Sequence, residues 1–493
     1  NMVDDGSIME HHETAPADRI PFHQKLIYGS GAFVNNLLAA AIGSMVIVLN
    51  IGLGMNPALV GLLGALPRLV DAFTDPLMGF ISDKTRSRWG RRRPYIFIGA
   101  IASGVTFALL WQLPAGQSES FYFWFFLIGS LIFFLAYTIF ATPWVALGYE
   151  LTPDYHERTR LMGTQFFIGS LAYVVSSWFL FVMQNGIYFN NVHFWQPVDI
   201  VDGAAGLAIM IGVFVVAIGI LPAVLLRERQ NVASLESNAE KESPKSMREN
   251  TMEFFRGFAL TLRSKPFLKL CIATFCVFNG FMLVSSLQNY TVIYYIFGGD
   301  TELATKFIGY EGTLRIVSSL AVIVFATWLS TRIGKRRAFF ITIGISMLGY
   351  AMKWFCYNPQ YPWLMMLPAP FLSFGLGSLF TLVPSMIADV VDLDELHSHE
   401  RREGMYGSIF WWVVKLGIAL ALALGGFLLN ATGFDVALEG NQAANTILQI
   451  RFYDAFLPFL FSGIAIWAIA AFPLTEEKAH DIRLQLEARR GTA

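Results

Sequence analysis

The sequence predicts an all-α membrane protein in which twelve transmembrane helices form two six-helix bundles. Three observations lead to this fold class. Of the 493 residues, 55% are hydrophobic and only 14% are charged, which is about half the charged share of a typical soluble protein. Twelve apolar runs are each long enough for the roughly 20-residue helix that crosses a bilayer. One long polar stretch separates the first six runs from the last six.

The composition also excludes several classes of protein. The high hydrophobic share excludes a disordered chain. A formal net charge of -1 gives no basic surface for binding nucleic acid. The apolar runs indicate instead that the lipid bilayer surrounds the protein. The three cysteines all lie in apolar runs and do not form the disulfide framework of a small secreted domain.

Sequence motifs for enzymatic chemistry are absent from the chain. No HExxH or GxSxG string occurs, and no GxxxxGK[ST] loop exists to bind ATP. The eight histidines fall in predicted tails or loops. We therefore expect neither an enzyme nor an ATP-driven pump, and no cofactor or resident metal beyond a coupling cation.

The apolar runs are numbered here as spans 1 to 12. They cover residues 26-50, 57-81, 94-113, 121-148, 163-186, 204-226, 266-297, 306-331, 337-356, 361-388, 405-430 and 450-473. The predicted domains are a tail (1-24), an N-terminal bundle (25-227), a linker with a short interfacial helix (228-264), a C-terminal bundle (265-475) and a second tail (476-493).

Lys and Arg residues concentrate in the loops on one side of the predicted bundle. Twenty-two lie in loops on the side of the two termini, whereas only Lys306 and Arg451 lie in the opposite loops. Cytoplasmic loops accumulate Lys and Arg, so both termini are predicted to be cytoplasmic. The polar residues 1 to 24 are unlike a cleavable signal peptide. We expect a multi-pass protein of the plasma membrane, which in a bacterium is the inner membrane.

Two similar strings occupy the same loop of each half. DKTRSRWGRRRP follows span 2, and STRIGKRRAFF follows span 8. Both combine a glycine with a basic run where a helix reaches the cytoplasm, as expected of a duplicated half. The alternative is that any cytoplasmic loop collects Arg.

Two acidic residues fall within span 2. Asp71 and Asp75 are four residues apart and therefore share one helix face. A charged Asp at the centre of a membrane helix costs about 2.5 to 3.5 kcal/mol, so the pair needs a partner, a proton or a water-filled cavity. Carboxylate oxygens suit Na⁺, Li⁺ or H⁺ better than a soft transition metal. The alternative is that Arg68, three residues before Asp71, neutralises the pair.

Three strings together carry a resemblance to a known family. They are LVDAFTDPLMGFISDKTRSRWGRRRP (69 to 94), MIADVVDLDEL (386 to 396) and RREGMYGSIFWWVVKLG (401 to 417). With two six-helix halves, they resemble the glycoside-pentoside-hexuronide:cation symporters of the major facilitator superfamily. The resemblance implies the major facilitator fold and symport of a saccharide with Na⁺ or H⁺ by alternating access. We expect a functional monomer.

The resemblance also implies a cation site and a substrate site. Beside Asp71 and Asp75 it adds Thr74 and Thr138 to the cation site, with a hydroxyl at Thr74 where the family has a side-chain amide. Family members of the melibiose type bind sugar through two acids, and those positions here are Asn36 and Ala141. The remaining implied substrate residues are Gln165 and Lys415, with Arg68 nearby and aromatic residues at Tyr137, Trp144, Phe380, Phe410 and Trp411.

The loss of two acids makes the predicted cavity less negative. Lys415 and Arg68 are retained, which favours an acidic saccharide such as a uronide, or a longer oligosaccharide, over a neutral galactoside. The alternative to substrate binding is that Lys415 is the internal counter-charge of Asp71 and Asp75 when the cation is absent. A lysolipid or other amphipathic anion, carried on the same fold, is the alternative substrate.

Charges outside these sites have other predicted roles. Asp83, Arg92 and Asp389 are expected to form charge pairs that close the cytoplasmic gate, and the alternative is simple solvated loop charge. Glu311 and Arg315 are four residues apart on span 8 and are expected to neutralise each other, and the alternative is a role for Arg315 in the cavity. Lys353, near the end of span 9, is expected to extend to the outer interface.

Overall fold

The computed structural model describes residues 19–85, 87–152, 155–189, 192–226, 228, 261, 263–398 and 403–490. Within these ranges, twelve helical segments are long and apolar enough to cross a membrane. The predicted all-α membrane fold is confirmed. The predicted linker and its interfacial helix fall almost entirely outside the described residues, as do residues 1–18.

Five of the first six spans begin and end within about four residues of the predicted positions, whereas span 5 begins eight residues earlier than predicted. Span 1 consists of Phe22–Met45 and Ile47–Ile51, span 2 of Pro57–Lys84, span 3 of Arg93–Leu110, span 4 of Glu119–Glu150, span 5 of Tyr155–Ser176 and Phe179–Asn185, and span 6 of Ile200–Gly219 and Leu221–Leu225. Span 1 starts a few residues earlier than the apolar run because its first turn is polar.

The last six spans also overlap the predicted runs, but spans 8 and 12 begin five and six residues earlier than predicted and span 10 ends ten residues later. Span 7 consists of Lys265–Tyr290 and the π-helix Thr291–Ile296, span 8 of Thr301–Ile333, span 9 of Lys335–Cys356, span 10 of the 3-10 helix Pro362–Met366 and Ala369–Ser398, span 11 of Glu403–Ala431, and span 12 of Ala444–Ala470.

Four elements outside the spans were not predicted from the sequence. Strands β1 (Ile187–Phe189) and β2 (Val192–Trp195) pair antiparallel between spans 5 and 6. A 3-10 helix, Val436–Leu438, lies between spans 11 and 12. The final helix, Glu476–Arg490, packs against the end of span 10 through Ile482 and Leu486. The predicted second tail therefore contains a helix.

Several spans begin with a polar capping residue, and some have a proline in the first turn. Asn56 precedes Pro57, and its side chain accepts a hydrogen bond from the Ala58 N–H. Asp199 and Asp300 cap spans 6 and 8 in the same way. Such caps satisfy N–H groups that have no partner within the helix.

The helices pack into two halves. In the first half, span 1 packs against span 5, and span 3 packs against spans 4 and 6. In the second half, span 7 packs against spans 11 and 12, and span 10 packs against spans 8 and 9. Span 2 and span 11 form the most extensive contact between the halves. The central residues of these two spans therefore lie where the halves meet.

The two halves are joined on one face of the molecule. We call the face that carries Phe22 and Ala470 the terminal face, and the other the opposite face. The described hydrogen bonds between the halves, apart from those at the molecular centre, lie towards the opposite face. They are Asn56 to Asn430 (2.9 Å), Tyr290 to Asn50 (2.9 Å), Trp178 to Thr313 (3.0 Å) and Asn185 to Thr305 (3.2 Å).

Glycines allow spans 2 and 11 to approach closely in the same region. A Cβ atom added to Gly61 would lie 2.7 Å from the Leu422 carbonyl oxygen, and one added to Gly426 would lie 2.3 Å from the Pro57 carbonyl oxygen. Small residues let helix backbones come together in this way within membranes. The opposite face is therefore closed by packed backbone and by the hydrogen bonds described above.

Candidate cation and substrate site

Span 2 presents two carboxylates at the centre of the molecule. Asp71 and Asp75 are one helical turn apart and both point toward span 4. Asp71 is only 1% exposed, whereas the side chain of Asp75 is 35% exposed. One acid is therefore enclosed by protein, while its neighbour remains open to the space between the halves.

Lys415 joins these two acids across the interface between the halves. Its Nζ lies 2.9 Å from Asp71 Oδ2 and also forms an ion pair with Asp75 Oδ2. One ammonium group thus faces two carboxylates, which leaves this cluster with a formal charge of -1. Lys415 acts as the counter-charge of the acidic pair in this structure.

The structure does not pair Arg68 with the two acids, so the alternative in which Arg68 neutralises them is wrong. Among the described residues, Arg68 forms no ion pair. Its Nη2 donates to the Ala39 carbonyl oxygen at 3.0 Å, and its guanidinium lies 4.7 Å from the centre of the Phe134 ring. The guanidinium of Arg68 is held by span 1 and by Phe134 of span 4, whereas the acids lie between the Thr138 hydroxyl of span 4 and the Lys415 ammonium of span 11.

Threonine hydroxyls complete the oxygen cluster around the acids. Thr138 Oγ1 lies 2.9 Å from Asp71 Oδ1 and 3.2 Å from Asp75 Oδ1, and it has one hydrogen to donate. Thr74 Oγ1 lies 3.2 Å from Thr138 Oγ1 and donates to the Asp71 carbonyl oxygen. The four predicted cation-site residues are therefore adjacent. Carboxylate and hydroxyl oxygens are the ligand types that hard monovalent cations or protons prefer.

One further hydroxyl belongs to this cluster and was not predicted from the sequence. Thr142 donates to Asp75 Oδ1 at 3.3 Å. It follows Thr138 by four residues on span 4, so the two side chains share a face. That spacing is a readable signal once Thr138 has been chosen. Thr142 extends the oxygen cluster toward the more exposed acid.

Polar residues of spans 1 and 4 form a connected chain beside this cluster. Tyr137 donates its hydroxyl to Asn35 Oδ1 at 2.8 Å, and Asn35 Nδ2 donates to Asn36 Oδ1 at 3.2 Å. Asn36 and Tyr137 were predicted from the sequence, whereas Asn35, which links them, was not.

Two buried polar atoms near this chain have no protein partner within the described part of the structure. They are Gln165 Oε1, on span 5, and Arg68 Nε. A Cβ atom on Gly169, one turn beyond Gln165, would lie 2.7 Å from Asn36 Nδ2, so spans 1 and 5 are in contact here. Buried polar atoms are normally paired by protein, water or ligand. These atoms are available to a polar ligand between the spans.

The predicted aromatic residues divide into two groups. Phe380 and Trp411 stack with ring centres 5.8 Å apart, and Phe410 packs edge-on against Trp411. Trp411 is 56% exposed and precedes Lys415 by one helical turn. Trp144, in contrast, is fully buried against Tyr28, to whose carbonyl oxygen it donates a hydrogen bond. Trp144 therefore packs spans 1 and 4 together and presents no free ring face to a ligand.

The predicted gating charges form ion pairs within each half. Arg92 Nη2 lies 2.7 Å from Glu150 Oε1 at the end of span 4, and Asp389 Oδ1 lies 2.8 Å from Lys335 Nζ. Glu228 accepts hydrogen bonds from three successive backbone N–H groups, those of residues 91 to 93. The predicted gating residue Asp83 has a side chain outside the described part of the structure.

The two repeated loops have matching backbone geometry. Gly90 and Gly334 both adopt positive φ angles, of 104° and 83°. Gly334 immediately precedes span 9, and Gly90 lies three residues before the first residue of span 3. In each loop, a basic residue after the glycine pairs with an acid at the end of span 4 or in the last third of span 10, the corresponding helices of the two halves. A shared conformation and a shared ion pair are what an internal duplication produces.

The prediction for Lys353 was wrong. Its side chain is buried, with Nζ 2.6 Å from Asp454 Oδ1 on span 12 and 3.5 Å from Gln288 Oε1 on span 7. Lysine extends to an interface when its helix face meets lipid, but this face of span 9 meets two other helices. Asp454 and Gln288 are polar residues that the sequence analysis overlooked.

The predicted pair on span 8 is present but loosely bonded. Arg315 Nε and Glu311 Oε1 are 3.9 Å apart. The other carboxylate oxygen, Oε2, accepts a hydrogen bond from Gln288 Nε2 at 2.8 Å. Gln288 thus connects the Glu311–Arg315 pair with the Lys353–Asp454 pair.

Two six-helix halves with a charged cluster where they meet are typical of a membrane transporter. Comparison with known proteins supports this class. A family model described as MFS/sugar transport protein matches residues 27–476. The chain belongs to this family of the major facilitator superfamily, as the glycoside-pentoside-hexuronide:cation symporter resemblance predicted, and it is not an enzyme.

Curated relatives match the chain over nearly its whole length. The isoprimeverose transporter of Lactiplantibacillus pentosus is 25% identical, with 94% of this chain and 93% of that protein covered. The glucuronide carrier protein homolog of Escherichia coli is 25% identical, with 89% of each covered. A sodium-dependent lysophosphatidylcholine symporter of Danio rerio is 23% identical, with 97% and 92% covered.

Solved structures share the fold at low sequence identity. A D-xylose-proton symporter superposes with a TM-score of 0.63 at 15% identity, covering 93% of this chain and 99% of that chain. A bacterial homolog of the lysosomal transporter Spinster also gives 0.63 at 15% identity, with coverage of 92% and 96%. The architecture is therefore that of major facilitator transporters.

Proposed function

We propose that this protein is a cation-coupled symporter that carries a saccharide into the cell. The single observation that carries the proposal is the contact of Lys415 with both Asp71 and Asp75 at the meeting point of the halves. A cation and the Lys415 ammonium would use the same carboxylate oxygens. Their exchange supplies a direct link between cation binding and the interface that must rearrange during transport.

The coupling mechanism follows from this competition. A Na⁺ ion or a proton on the acids, assisted by Thr74 and Thr138, would release the Lys415 ammonium. That ammonium would then donate hydrogen bonds to a substrate beside Trp411. Because binding free energies are reciprocal, a substrate that engages Lys415 would tighten cation binding by the same factor.

Alternating access would move the two halves about this central site. The bonds on the opposite face would break, and the two halves would close on the terminal face. Arg92 and Asp389, now paired within their own halves, would then exchange partners across the gate. We infer that the terminal face, with both chain ends, is cytoplasmic, since it carries most of the loop Lys and Arg residues.

A saccharide fits the chemistry of the polar and aromatic residues around this site. Sugars present C–H faces that stack on aromatic rings and hydroxyl groups that need several polar partners. The exposed Trp411 ring and the unpartnered Gln165 oxygen supply both kinds of contact. Arg68 and Lys415, with Asn36 and Ala141 where acids would be, favour an acidic saccharide such as a uronide.

Uptake into proteoliposomes tests this proposal. Purified protein would be tested with neutral disaccharides and with glucuronides, under an imposed Na⁺ gradient or a proton gradient. We expect uptake driven by one of the gradients, and faster uptake of the acidic sugars. Exclusive transport of a neutral disaccharide would exclude the acidic-substrate part of the proposal while leaving symport intact.

Variants of the acids test the cation site. Asp71→Asn and Asp75→Asn are expected to abolish cation-driven uptake, because each removes one of the two charges that hold the cation. Asp202→Asn, which changes a hydrogen-bonding residue at the start of span 6, is the matched control and should transport normally. Unchanged cation dependence in both site variants would refute the assignment.

A lysolipid is the second candidate substrate, and the 23% identical lysophosphatidylcholine symporter favours it. A lysolipid would place its phosphate on the same cations and its acyl chain on apolar walls. Uptake of labelled lysophosphatidylcholine, competed or not by glucuronides, separates the two candidates.

A further inference from the structure

A groove lies on the outer surface of the molecule between the first turns of span 7 and the last turns of span 12. It has a volume of about 210 Å³ and is almost entirely apolar. Leu268 and Ile272 form the wall on span 7, and Ala468 and Ala471 form the wall on span 12. Because Lys265 and Ala470 are terminal residues of these spans, the groove lies where the terminal face meets the bilayer.

Basic side chains line the mouth of this groove. Lys265 and Lys269 are one turn apart on span 7 and both line it. Arg336, at the start of span 9, reaches the neighbouring end of span 12, where it donates to the Ala470 carbonyl oxygen at 2.5 Å. Among the described residues, no carboxylate lies within ion-pair distance of these three cations. The groove therefore joins an apolar slot to an uncompensated positive charge.

Two of these cations also have a structural role. Lys269 donates to the Ala471 carbonyl oxygen, and Arg336 donates to that of Ala470, so both satisfy the end of span 12. Lys265 has no described partner and is exposed. Helix capping therefore does not account for Lys265, and the two capping groups keep further N–H donors free.

The aromatic residue at the groove is also placed at the bilayer boundary. Trp467 is 67% exposed and Leu268 is 43% exposed. Trp residues concentrate at membrane–water interfaces. Basic pockets between transmembrane helices on the cytoplasmic side bind the head groups of anionic lipids. A phospholipid offers both an acyl chain for the apolar slot and a phosphate for the lysines.

We propose that this groove is a binding site for one anionic phospholipid of the leaflet at the terminal face. The head-group phosphate accepts hydrogen bonds from Lys265 and Lys269, and the first part of an acyl chain packs on Leu268, Ile272 and Trp467. Charge complementarity selects an anionic lipid, because a zwitterionic head group would bring a second positive charge beside the lysines.

Native mass spectrometry of the full-length protein in detergent tests this site. Phosphatidylglycerol and phosphatidylcholine of identical acyl chains would be titrated separately. We expect tighter binding of phosphatidylglycerol, and roughly tenfold or greater weakening in the double variant Lys265→Gln/Lys269→Gln, because surface lysines attract anionic lipid. Lys478→Gln, an exposed lysine on the final helix, is the matched control and should bind as the wild type does.

Two further measurements guard against a folding artefact. Lys265→Gln alone removes no described hydrogen bond, so a loss of phosphatidylglycerol affinity in this variant cannot arise from the end of span 12. Phosphatidylglycerol with brominated acyl chains should quench wild-type tryptophan fluorescence more than that of Trp467→Phe. Equal binding of the two lipids by the wild type, or unchanged phosphatidylglycerol affinity in the double variant, would overturn the proposal.

Discussion

At the scale of single residues, the hydroxyl group of Thr138 holds a central position. It lies within hydrogen-bonding distance of Asp71 and Asp75 and of the Thr74 hydroxyl. With one hydrogen it can donate to one carboxylate at a time, while its oxygen lone pairs remain available to a cation. Thr138 can therefore serve the site both with and without a bound cation.

Replacement of Thr138 by Val should weaken cation binding. The substitution keeps the side-chain shape but removes the hydroxyl oxygen, which lies against both carboxylates and would be a ligand of a bound cation. We expect the cation concentration for half-maximal uptake to rise about tenfold, which corresponds to about 1.4 kcal/mol. Thr142→Val, which removes a longer contact to Asp75 alone, should have a smaller effect. Equal effects of the two variants would contradict the central role of Thr138.

The two acids could be predicted from the sequence, but Lys415 and Arg68 were both left as candidates for their counter-charge. The i, i+4 spacing and the depth of Asp71 and Asp75 in span 2 follow directly from the sequence. The contact with Lys415 depends on how span 11 packs against span 2, more than 300 residues away. Local periodicity contains no information about such a contact, which is why Lys415 and Arg68 could not be separated as counter-charges.

At the scale of helices, the buried pair Lys353–Asp454 ties span 9 to span 12. Both side chains are almost fully buried, and Nζ and Oδ1 are 2.6 Å apart. The sequence located Lys353 correctly near the end of its span but did not reveal which neighbours its helix face meets. In a chain where lipid and protein faces are both apolar, that orientation is determined by packing between helices.

A double-mutant cycle should reveal the cost of breaking this pair. Lys353→Met or Asp454→Leu alone leaves an unpaired buried charge, and each should destabilise the protein by about 3 to 5 kcal/mol. The double variant should recover most of that loss, because neither charge remains. Thermal unfolding in detergent measures the effect. Additive losses in the double variant would contradict this explanation.

An exposed ion pair provides the control for this cycle. Lys306 and Glu302 are four residues apart at the start of span 8, 3.2 Å from nitrogen to oxygen, and their side chains are 29% and 66% exposed. Such pairs contribute less than about 1 kcal/mol. Lys306→Met should therefore change the unfolding temperature far less than Lys353→Met does.

A third ion pair, at the terminal face, should give the stability a pH dependence. Glu157 precedes Arg160–Asn185, the part of span 5 that is long and apolar enough to cross the membrane. Burial raises the pKa of Glu157, but hydrogen bonds from Lys25 and from the Ile20 N–H outweigh it, so the pKa lies below its ordinary value of 4.5. A depressed carboxyl pKa stabilises the folded state above the ordinary value, and the stabilisation is lost as pH falls through the folded-state pKa.

Glu157→Gln should therefore lower the thermal unfolding temperature at pH 7, and the difference from wild type should shrink below about pH 4.5. Glu302→Gln serves as the control, because its carboxylate is exposed. A difference that stays constant across this pH range would indicate that packing, rather than the charge of Glu157, is responsible.

At the scale of the whole molecule, the described hydrogen bonds between the halves lie toward the opposite face and at the centre. A transporter that alternates between two openings must break the first set in every cycle. The duplicated six-helix plan could be predicted from the polar linker and the repeated basic loops. The face that is closed in this structure could not be predicted from the sequence, because an alternating-access transporter closes each face in turn.

A reversible cross-link across the opposite face tests whether that face must open. Asn56 and Asn430 face each other across the halves, with 2.9 Å between the amide nitrogen and oxygen. Asn56→Cys/Asn430→Cys would be made in a protein whose Cys271, Cys276 and Cys356 are replaced by Ala. Treatment with a short thiol-reactive cross-linker should reduce proteoliposome uptake to background, and a cleavable linker should allow its recovery by reductant.

Each single-cysteine variant, treated in the same way, should retain uptake. Substrate should still bind to the cross-linked protein from the terminal face, because the described hydrogen bonds between the halves lie at the centre and toward the opposite face. Normal uptake by the cross-linked protein would mean that the opposite face stays closed throughout transport, and alternating access by movement of the two halves would then be wrong for this protein.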